Sequence, residues 1–151
     1  MKKVLIGAAL LASLAAGSVA AQVPADRAVK YRQSALTVMS TSFGRIGAHN
    51  KGEIKLDAAA LVANAQAVEL MSHFAFDGFI QGTPQPSTTG KGAKAEIWKE
   101  WDKFKKMQGD LQSATAKLSA AAKSGDAEAI KAASGDVGKS CKACHDAFRD
   151  I

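Results

Sequence analysis

Apolar residues recur at steps of three and four in four separate stretches of the chain, which is the spacing of amphipathic helices. The stretches run from Ala25 to about His49, from the N-cap Asp57 onward, from about Ala93 to Lys123, and from Asp126 toward the C-terminus. Each predicted helix has a single apolar stripe, so the four stripes can be buried only against one another. The pattern predicts an all-α fold, an antiparallel four-helix bundle with up-down-up-down connections.

The apolar stripes are rich in alanine and are interrupted by polar residues, with Arg32 as the clearest misfit. A bundle core with so few large side chains leaves room for a flat apolar ligand. Between the second and third helices, Gln81 to Gly92 is rich in glycine and proline and predicts the longest connection. The stripes consist of Val29, Arg32, Leu36, Met39, Phe43 and Ile46; Leu61, Ala65, Val68, Ser72, Ala75 and Phe79; Ile97, Trp101, Phe104, Leu111 and Leu118; and Ile130, Ser134, Val137, Cys141, Cys144 and Phe148.

The N-terminus is typical of a secretory signal peptide. Lys2 and Lys3 precede an apolar stretch from Val4 to Ala16, and small residues follow up to Ala21. The apolar stretch is shorter than the roughly 20 residues that a membrane-spanning helix needs. We therefore expect residues 1–21 to be cleaved and residues 22–151 to form one exported domain, with no membrane span after processing and a periplasmic location in a two-membrane bacterium.

The net charge of the chain is too mild to indicate a nucleic-acid partner. The formal charge is +6, and removal of Lys2 and Lys3 with the leader lowers it to +4. Lysines alternate with acidic residues along 94–106, as on an ordinary solvated helix face. This balance does not favour nucleic acid and only weakly favours an acidic protein partner.

The run Cys141-Lys142-Ala143-Cys144-His145 has the C-x-x-C-H pattern of haem attachment. On a helix the two cysteines lie at i and i+3, so both sulfurs reach the same edge of a porphyrin and can form thioethers with its vinyl groups. The adjacent histidine can place a ring nitrogen on the iron. The sequence predicts one covalently attached haem c, held by Cys141 and Cys144, with His145 as metal ligand.

Other uses of two nearby cysteines agree less well with the rest of the chain. A zinc site needs four ligands, and the only other histidines, His49 and His73, have no ligand spacing to each other. A thioredoxin-like thiol pair follows a strand, and no strand pattern is present. We expect His49 and His73 to be surface or helix-cap residues.

Only six residues follow His145, so any second axial ligand has to come from upstream. In an up-down-up-down bundle the first and last helices are antiparallel, which brings Arg32 and Leu36 opposite His145. A buried Arg32 needs an anionic partner, and a haem propionate suits its bidentate guanidinium. Met39 lies about 4.5 Å further along the same helix face. Its sulfur is the alternative sixth ligand.

Three segments carry a family resemblance: Lys30 to Leu36, Glu96 to Trp98 and Gly135 to Arg149. Through them the chain resembles the class II c-type cytochromes, the cytochrome c' family, over nearly all of its mature length. This resemblance implies a four-helix bundle, often a homodimer, with a five-coordinate high-spin haem whose open face meets Leu36. It also implies that Arg32 and Gln33 anchor a propionate and that Arg149 lies beside the proximal pocket.

An open iron beneath an apolar side chain predicts binding of nitric oxide and carbon monoxide, small diatomic gases that need no hydrogen-bond donor. The main alternative is a low-spin, six-coordinate electron carrier with Met39 as second ligand and a larger redox protein as partner. An enzyme such as a peroxidase needs a distal acid-base group, and the first helix has none at the expected position. We therefore expect a gas-binding or electron-transfer protein and not an enzyme.

Overall fold

A computed structural model describes residues 23–81, 83 and 92–150. The predicted signal peptide, residues 1–21, lies outside the described residues, and so does most of the predicted connection between Gln81 and Gly92. Within the described part of the chain, no helix is both long enough and apolar enough to cross a membrane.

Four long helices form the bundle that the apolar pattern predicts. Along the sequence, α1 packs on α2, α2 on α4, and α4 on α5, whereas α1 and α5 meet at few positions. The all-α prediction is confirmed, with one small antiparallel strand pair added. The elements are α1 (Ala25–Asn50), α2 (Ala58–Asp77), β1 (Gly92–Ala93), α3 (Glu96–Lys99), α4 (Trp101–Ser124), α5 (Ala127–Phe148) and β2 (Arg149–Asp150).

Two aspartates start helices as the sequence predicts. Asp57 Oδ1 accepts a hydrogen bond from the backbone N–H of Ala60 at 2.7 Å, and Asp126 accepts from Glu128 and Ala129 at 3.0 and 3.1 Å. These bonds satisfy N–H groups that the first turn of a helix leaves without partners. Between α4 and α5, Gly125 has a φ of 73°, the left-handed conformation that ends a helix and favours glycine.

The third predicted helix, Ala93 to Lys123, is wrong in its first quarter, before Trp101. The chain breaks at Glu100 (φ −112°, ψ 42°), which separates α3 from α4. The segment before α3 is tied to the end of α5, because β1 pairs with β2 and Lys94 N–H donates to the Phe148 carbonyl at 2.9 Å. The axis of α4 is set instead by its contacts with α2 and α5. One straight helix cannot satisfy both, and the break leaves Trp101 38% exposed although the stripe predicted it to face inward.

The best-packed part of the core lies where the last turns of α1 and the first turns of α2 meet α4 and α5. Ile46, Ala65 and Leu118 have no exposed surface there. Side chains of this kind contribute roughly 1.5–3 kcal/mol each when fully buried. A hydrogen bond from Asn50 Nδ2 to Ser134 Oγ at 3.0 Å joins α1 to α5 at this end of the bundle.

Candidate functional site

A cavity of about 690 Å³ lies in the seam between α1 and α5, toward the end of the bundle opposite the Asn50 and Ser134 contact. Its volume is within the range of roughly 300–1,000 Å³ that is typical of small-molecule and cofactor sites. All four long helices contribute apolar side chains. The apolar lining includes Leu36, Phe43, Val68, Phe76, Phe79, Phe104, Leu111, Val137 and Phe148.

The last turns of α5 bring Cys141, Cys144 and His145 to the wall of this cavity. All three side chains are half-buried, and the two cysteines are free thiols. Cys141 packs against the main core and Cys144 against a cluster around Ile97, Phe104 and Phe148. The three residues of the predicted attachment motif therefore line one cavity, with both thiols available.

The electrostatics of the two thiols argue against a redox dithiol. Burial raises the pKa of Cys141, and burial together with the charge of Cys141 raises the pKa of Cys144 to about 11. Catalytic cysteines have lowered pKa values, often at helix N-termini. These two lie in the C-terminal half of a helix, and no cluster of potential metal ligands is found in the described residues.

His145 is disposed to remain neutral. Its pKa is lowered by burial and further by the positive charge of Arg149, whereas Asp146 acts in the opposite direction. Neutral imidazole is the form that ligates a metal. Arg149 is exposed in β2 and also lines the cavity.

Arg32 is the only charged side chain of α1 that lies in the core, at 1% exposure. Its guanidinium donates from Nη1 to the Gly78 carbonyl at 3.2 Å and to Thr83 Oγ1 at 3.0 Å, and from Nη2 to the Thr83 carbonyl at 2.8 Å. It also lies 4.8 Å from the centre of the Phe79 ring. Burial lowers its pKa.

The charge of Arg32 has no carboxylate partner among the ion pairs of the described residues. A guanidinium has five N–H donors, and three of them are used. The Nε donor and one Nη2 donor remain, and Arg32 lines the cavity. A buried cation with an incomplete set of partners is costly unless an anion is supplied.

Gly78 allows the end of α2 to lie close to α1 beside Arg32. A Cβ at this position would lie 2.7 Å from Arg32 Cβ and 2.8 Å from the Ala28 carbonyl oxygen. No local pattern indicates Gly78 or Thr83 as Arg32 partners, because they lie 46 and 51 residues away along the chain.

The remaining predicted site residues of α1 also reach the cavity. Gln33 is exposed at its mouth and Leu36 is half-buried in its wall. Met39 lines the cavity as well but is 8% exposed and belongs to the main core cluster. Thus the structure brings Arg32, Gln33, Leu36 and Met39 to the same cavity as the α5 motif.

The family model described as cytochrome c' matches residues 27–149. The chain belongs to the cytochrome c' family. Cytochrome c' from Alcaligenes xylosoxydans is 47% identical over 124 residues, which cover 82% of this chain and 94% of that protein. The family resemblance drawn from the sequence is therefore confirmed.

Solved structures of cytochromes c' share the fold. Cytochrome c prime from Shewanella frigidimarina has a TM-score of 0.78 at 36% identity, covering 85% of this chain and 98% of that chain. The nitric oxide complex of a leucine-to-alanine mutant of the Alcaligenes xylosoxidans protein has a TM-score of 0.77 at 43% identity, with the same coverage. Cytochromes c' carry covalently attached haem c and bind gases or transfer electrons, and they are not enzymes.

The cavity of this cytochrome c' fits that cofactor. It is largely apolar, its α5 wall has two free thiols and a histidine disposed to be neutral, and its α1 wall holds a buried cation with unused donors. The thiols can react with the vinyl groups of a haem, the histidine can ligate its iron, and the buried arginine can pair with a propionate. The haem predicted from the C-x-x-C-H pattern agrees with the family and with this wall.

The two remaining histidines lie outside the cavity lining. His49, in the last turn of α1, accepts a hydrogen bond at Nδ1 from the backbone N–H of Leu56 at 3.1 Å, which holds the turn between α1 and α2. His73 is exposed on α2. Both positions agree with the surface or cap role expected for them.

Proposed function

We propose that this cytochrome c' binds nitric oxide and carbon monoxide at a five-coordinate haem. Cys141 and Cys144 would form the thioethers, and His145 would ligate the iron. The observation that carries the proposal is that Leu36 and Phe43 of α1 line the cavity with carbon atoms only. Thr37 and Ser40 also line it, but their hydroxyls donate to backbone carbonyls of α1 at 2.8 and 3.0 Å. When bound, the haem supplies an iron that takes up a diatomic gas and changes between the ferric and ferrous states.

Leu36 is favoured over Met39 as the residue that covers the open face. Met39 is already buried in the main core cluster, whereas Leu36 is only half-buried and borders the cavity. Methionine on an apolar helix face usually fills space. A Leu36 side chain cannot donate a hydrogen bond, so bound oxygen gains no stabilisation from it. Nitric oxide and carbon monoxide need none.

The relative from Alcaligenes xylosoxidans supports this proposal, because a leucine-to-alanine mutant of that protein forms a complex with nitric oxide. Transfer to this chain rests on the 43% identity between the two and on the apolar Leu36 side chain that lines the cavity here.

Arg32 would bind a haem propionate with its two unused donors while Gly78 and Thr83 hold the other three. Gln33, exposed at the cavity mouth, is positioned to assist. Arg149 would steady the proximal side, since its charge favours the neutral form of His145. We assign these roles from position and charge.

We further propose that residues 1–21 are a signal peptide, that the mature protein works in the periplasm, and that it forms a homodimer. The outer faces of α1 and α2 support the dimer, because Val38, Leu70 and Phe74 are 48, 52 and 43% exposed. Covering apolar side chains of this size favours association.

The Leu36→Ala variant tests the gas-binding proposal. Removing the side chain over the iron should raise the affinity of the ferrous protein for carbon monoxide. The absorption spectrum of the gas-free protein, in which His145 is the ligand, should not change. Val38→Ala, on the exposed face of the same helix, is the matched control and should bind carbon monoxide as the parent does. Equal affinities in all three proteins would contradict the proposed role of Leu36.

Electron transfer with Met39 as sixth ligand is the second candidate, because Met39 also lines the cavity. It makes an opposite prediction for the Met39→Leu variant. If Met39 ligates the iron, this change converts a low-spin spectrum to a high-spin one and opens the site to carbon monoxide. If Leu36 covers an open site, the spectrum of Met39→Leu stays as in the parent.

A further inference from the structure

Aromatic rings form a continuous row from the cavity wall to the surface of the bundle. Phe104 lines the cavity and is 2% exposed. Trp101 stacks on it with ring centres 5.4 Å apart and an interplanar angle of 24°, and Trp98 stacks on Trp101 at 5.5 Å and the same angle. One ring therefore separates the stacked indole pair from the cavity.

Cys144 also packs against this aromatic cluster. The porphyrin edge that Cys144 holds would thus lie beside the cluster that contains Phe104. Phe79 and Phe148 surround Phe104 at 4.9 and 5.5 Å between ring centres. Among these rings only the indoles are readily oxidised, because phenyl rings hold their electrons much more tightly.

The two indoles differ in their access to water. The Trp98 Nε1 atom is buried and has no hydrogen-bond partner among the described residues, so an oxidised Trp98 has no acceptor for its proton. Trp101 is 38% exposed and can release a proton to solvent. Loss of an electron from the stacked pair will therefore leave the oxidised, deprotonated indole at Trp101.

We propose that Trp101 is the outlet through which oxidising equivalents from hydrogen peroxide leave the haem cavity. The inference rests on the proposed function, because peroxide must reach an iron with an open sixth position. Without a distal acid-base group the O–O bond breaks slowly, so the reaction is a single oxidation of Trp101 and not the turnover of a peroxidase. Electrons pass from Trp101 past Phe104 to the haem. This route spares the porphyrin and the thioether sulfurs of Met39, Cys141 and Cys144, which are oxidisable groups at the cavity.

The chemistry balances with peroxide as the sole oxidant. Trp101 gives up two electrons, one at a time, and two protons, and a water oxygen bonds to the oxidised ring. Peroxide takes up two electrons and two protons, its O–O bond breaks, and two water molecules form. The net reaction converts one indole and one peroxide to one hydroxyindole and one water.

Peptide mass mapping of the ferric holoprotein after limited peroxide treatment tests the proposal. We expect hydroxylated Trp101 to appear before oxidation of Trp98 or Met39. The Trp101→Phe variant should lose its Soret absorption severalfold faster than the parent, with more Met39 sulfoxide. Tyr31→Phe is the matched control, because it removes an exposed oxidisable ring that does not line the cavity, and it should bleach at the parental rate.

Carbon monoxide distinguishes this route from direct attack on a surface indole. With the ferrous iron carbonylated, Trp101 should remain unmodified under the same peroxide treatment. Oxidation of Trp101 at an undiminished rate in the carbonylated protein, or equal bleaching of Trp101→Phe and the parent, would overturn the inference. If the protein binds carbon monoxide but Trp101 stays unmodified in the peroxide-treated ferric protein, this inference alone is overturned. If the protein does not bind carbon monoxide, the proposed function is overturned.

Discussion

The two ends of the bundle have the same spacing of apolar residues, but one end has a filled core and the other surrounds a cavity. At the end joined by Asn50 and Ser134, Ile46 and Leu118 are completely buried. At the other end, Leu36 and Cys141 continue the same stripes but remain half-buried around a cavity. The spacing decides which face of a helix turns inward. Whether that face is then filled by protein depends on how closely the helices approach, and here α1 and α5 stay apart.

The largest difference between the two ends should appear when a leucine is shortened. We expect Leu118→Ala to lower the free energy of unfolding by about 2–5 kcal/mol, because the lost methyl groups leave a cavity in a closely packed region. Urea denaturation of the purified holoprotein measures this loss.

Leu36→Ala makes the same chemical change at the open end. A half-buried leucine beside an existing cavity should cost only about 1 kcal/mol. If Leu36→Ala and Leu118→Ala lower the free energy of unfolding equally, the difference in packing between the two ends is contradicted.

Gly78→Ala should have the next largest effect. The added Cβ would lie 2.7 Å from Arg32 Cβ and 2.8 Å from the Ala28 carbonyl oxygen, so α1 and α2 must move apart at a cost of about 1–3 kcal/mol. The movement also pulls the Gly78 carbonyl from Arg32, so we expect the reduction potential of the haem to shift.

Gly109→Ala is the control for this change, because a Cβ there would meet no atom within 4 Å. It lies within α4, and alanine should stabilise the helix by roughly 0.5–1 kcal/mol with an unchanged potential. A stabilising Gly78→Ala would contradict the close approach of α1 and α2.

Loss of the α5 cap should have a smaller effect, confined to the closed end. Asp126→Ala removes the acceptor for two backbone N–H groups, and we expect a loss of about 1 kcal/mol without any change in carbon monoxide binding. A change in gas affinity would show that the two ends are coupled through α5.

The smallest effect should come from the exposed ion pair between Lys106 and Asp110 at 2.8 Å. Asp110→Asn should change the free energy of unfolding by at most about 0.5 kcal/mol, and less in high salt, because water screens exposed charges. Denaturation curves at two salt concentrations give this value.

Local signals were sufficient to predict much of this architecture. The spacing of the apolar residues predicted the four long helices, and the caps Asp57 and Asp126 are visible in the sequence because capping is a contact over two or three residues. The haem motif is equally local. Its three chemical residues occupy five consecutive positions, and the described cavity contains all three.

Features that depend on distant contacts were not predictable. The break at Glu100 follows from pairing between Gly92–Ala93 and Arg149–Asp150, and no glycine or proline marks it in the sequence. Arg32 was expected to bind a propionate, but its bonds to Gly78 and Thr83 could not be foreseen, since α1 and α2 must first pack to create them. The exposure of Trp101 is a consequence of the same break.

An absorption spectrum of the dithionite-reduced holoprotein, before and after addition of carbon monoxide, tests the central claim most directly. With Leu36 over an open iron, the reduced protein should show a broad high-spin Soret band that sharpens and shifts when the gas binds. Sharp low-spin α and β bands that carbon monoxide leaves unchanged would contradict the claim, and would identify Met39 as the candidate sixth ligand.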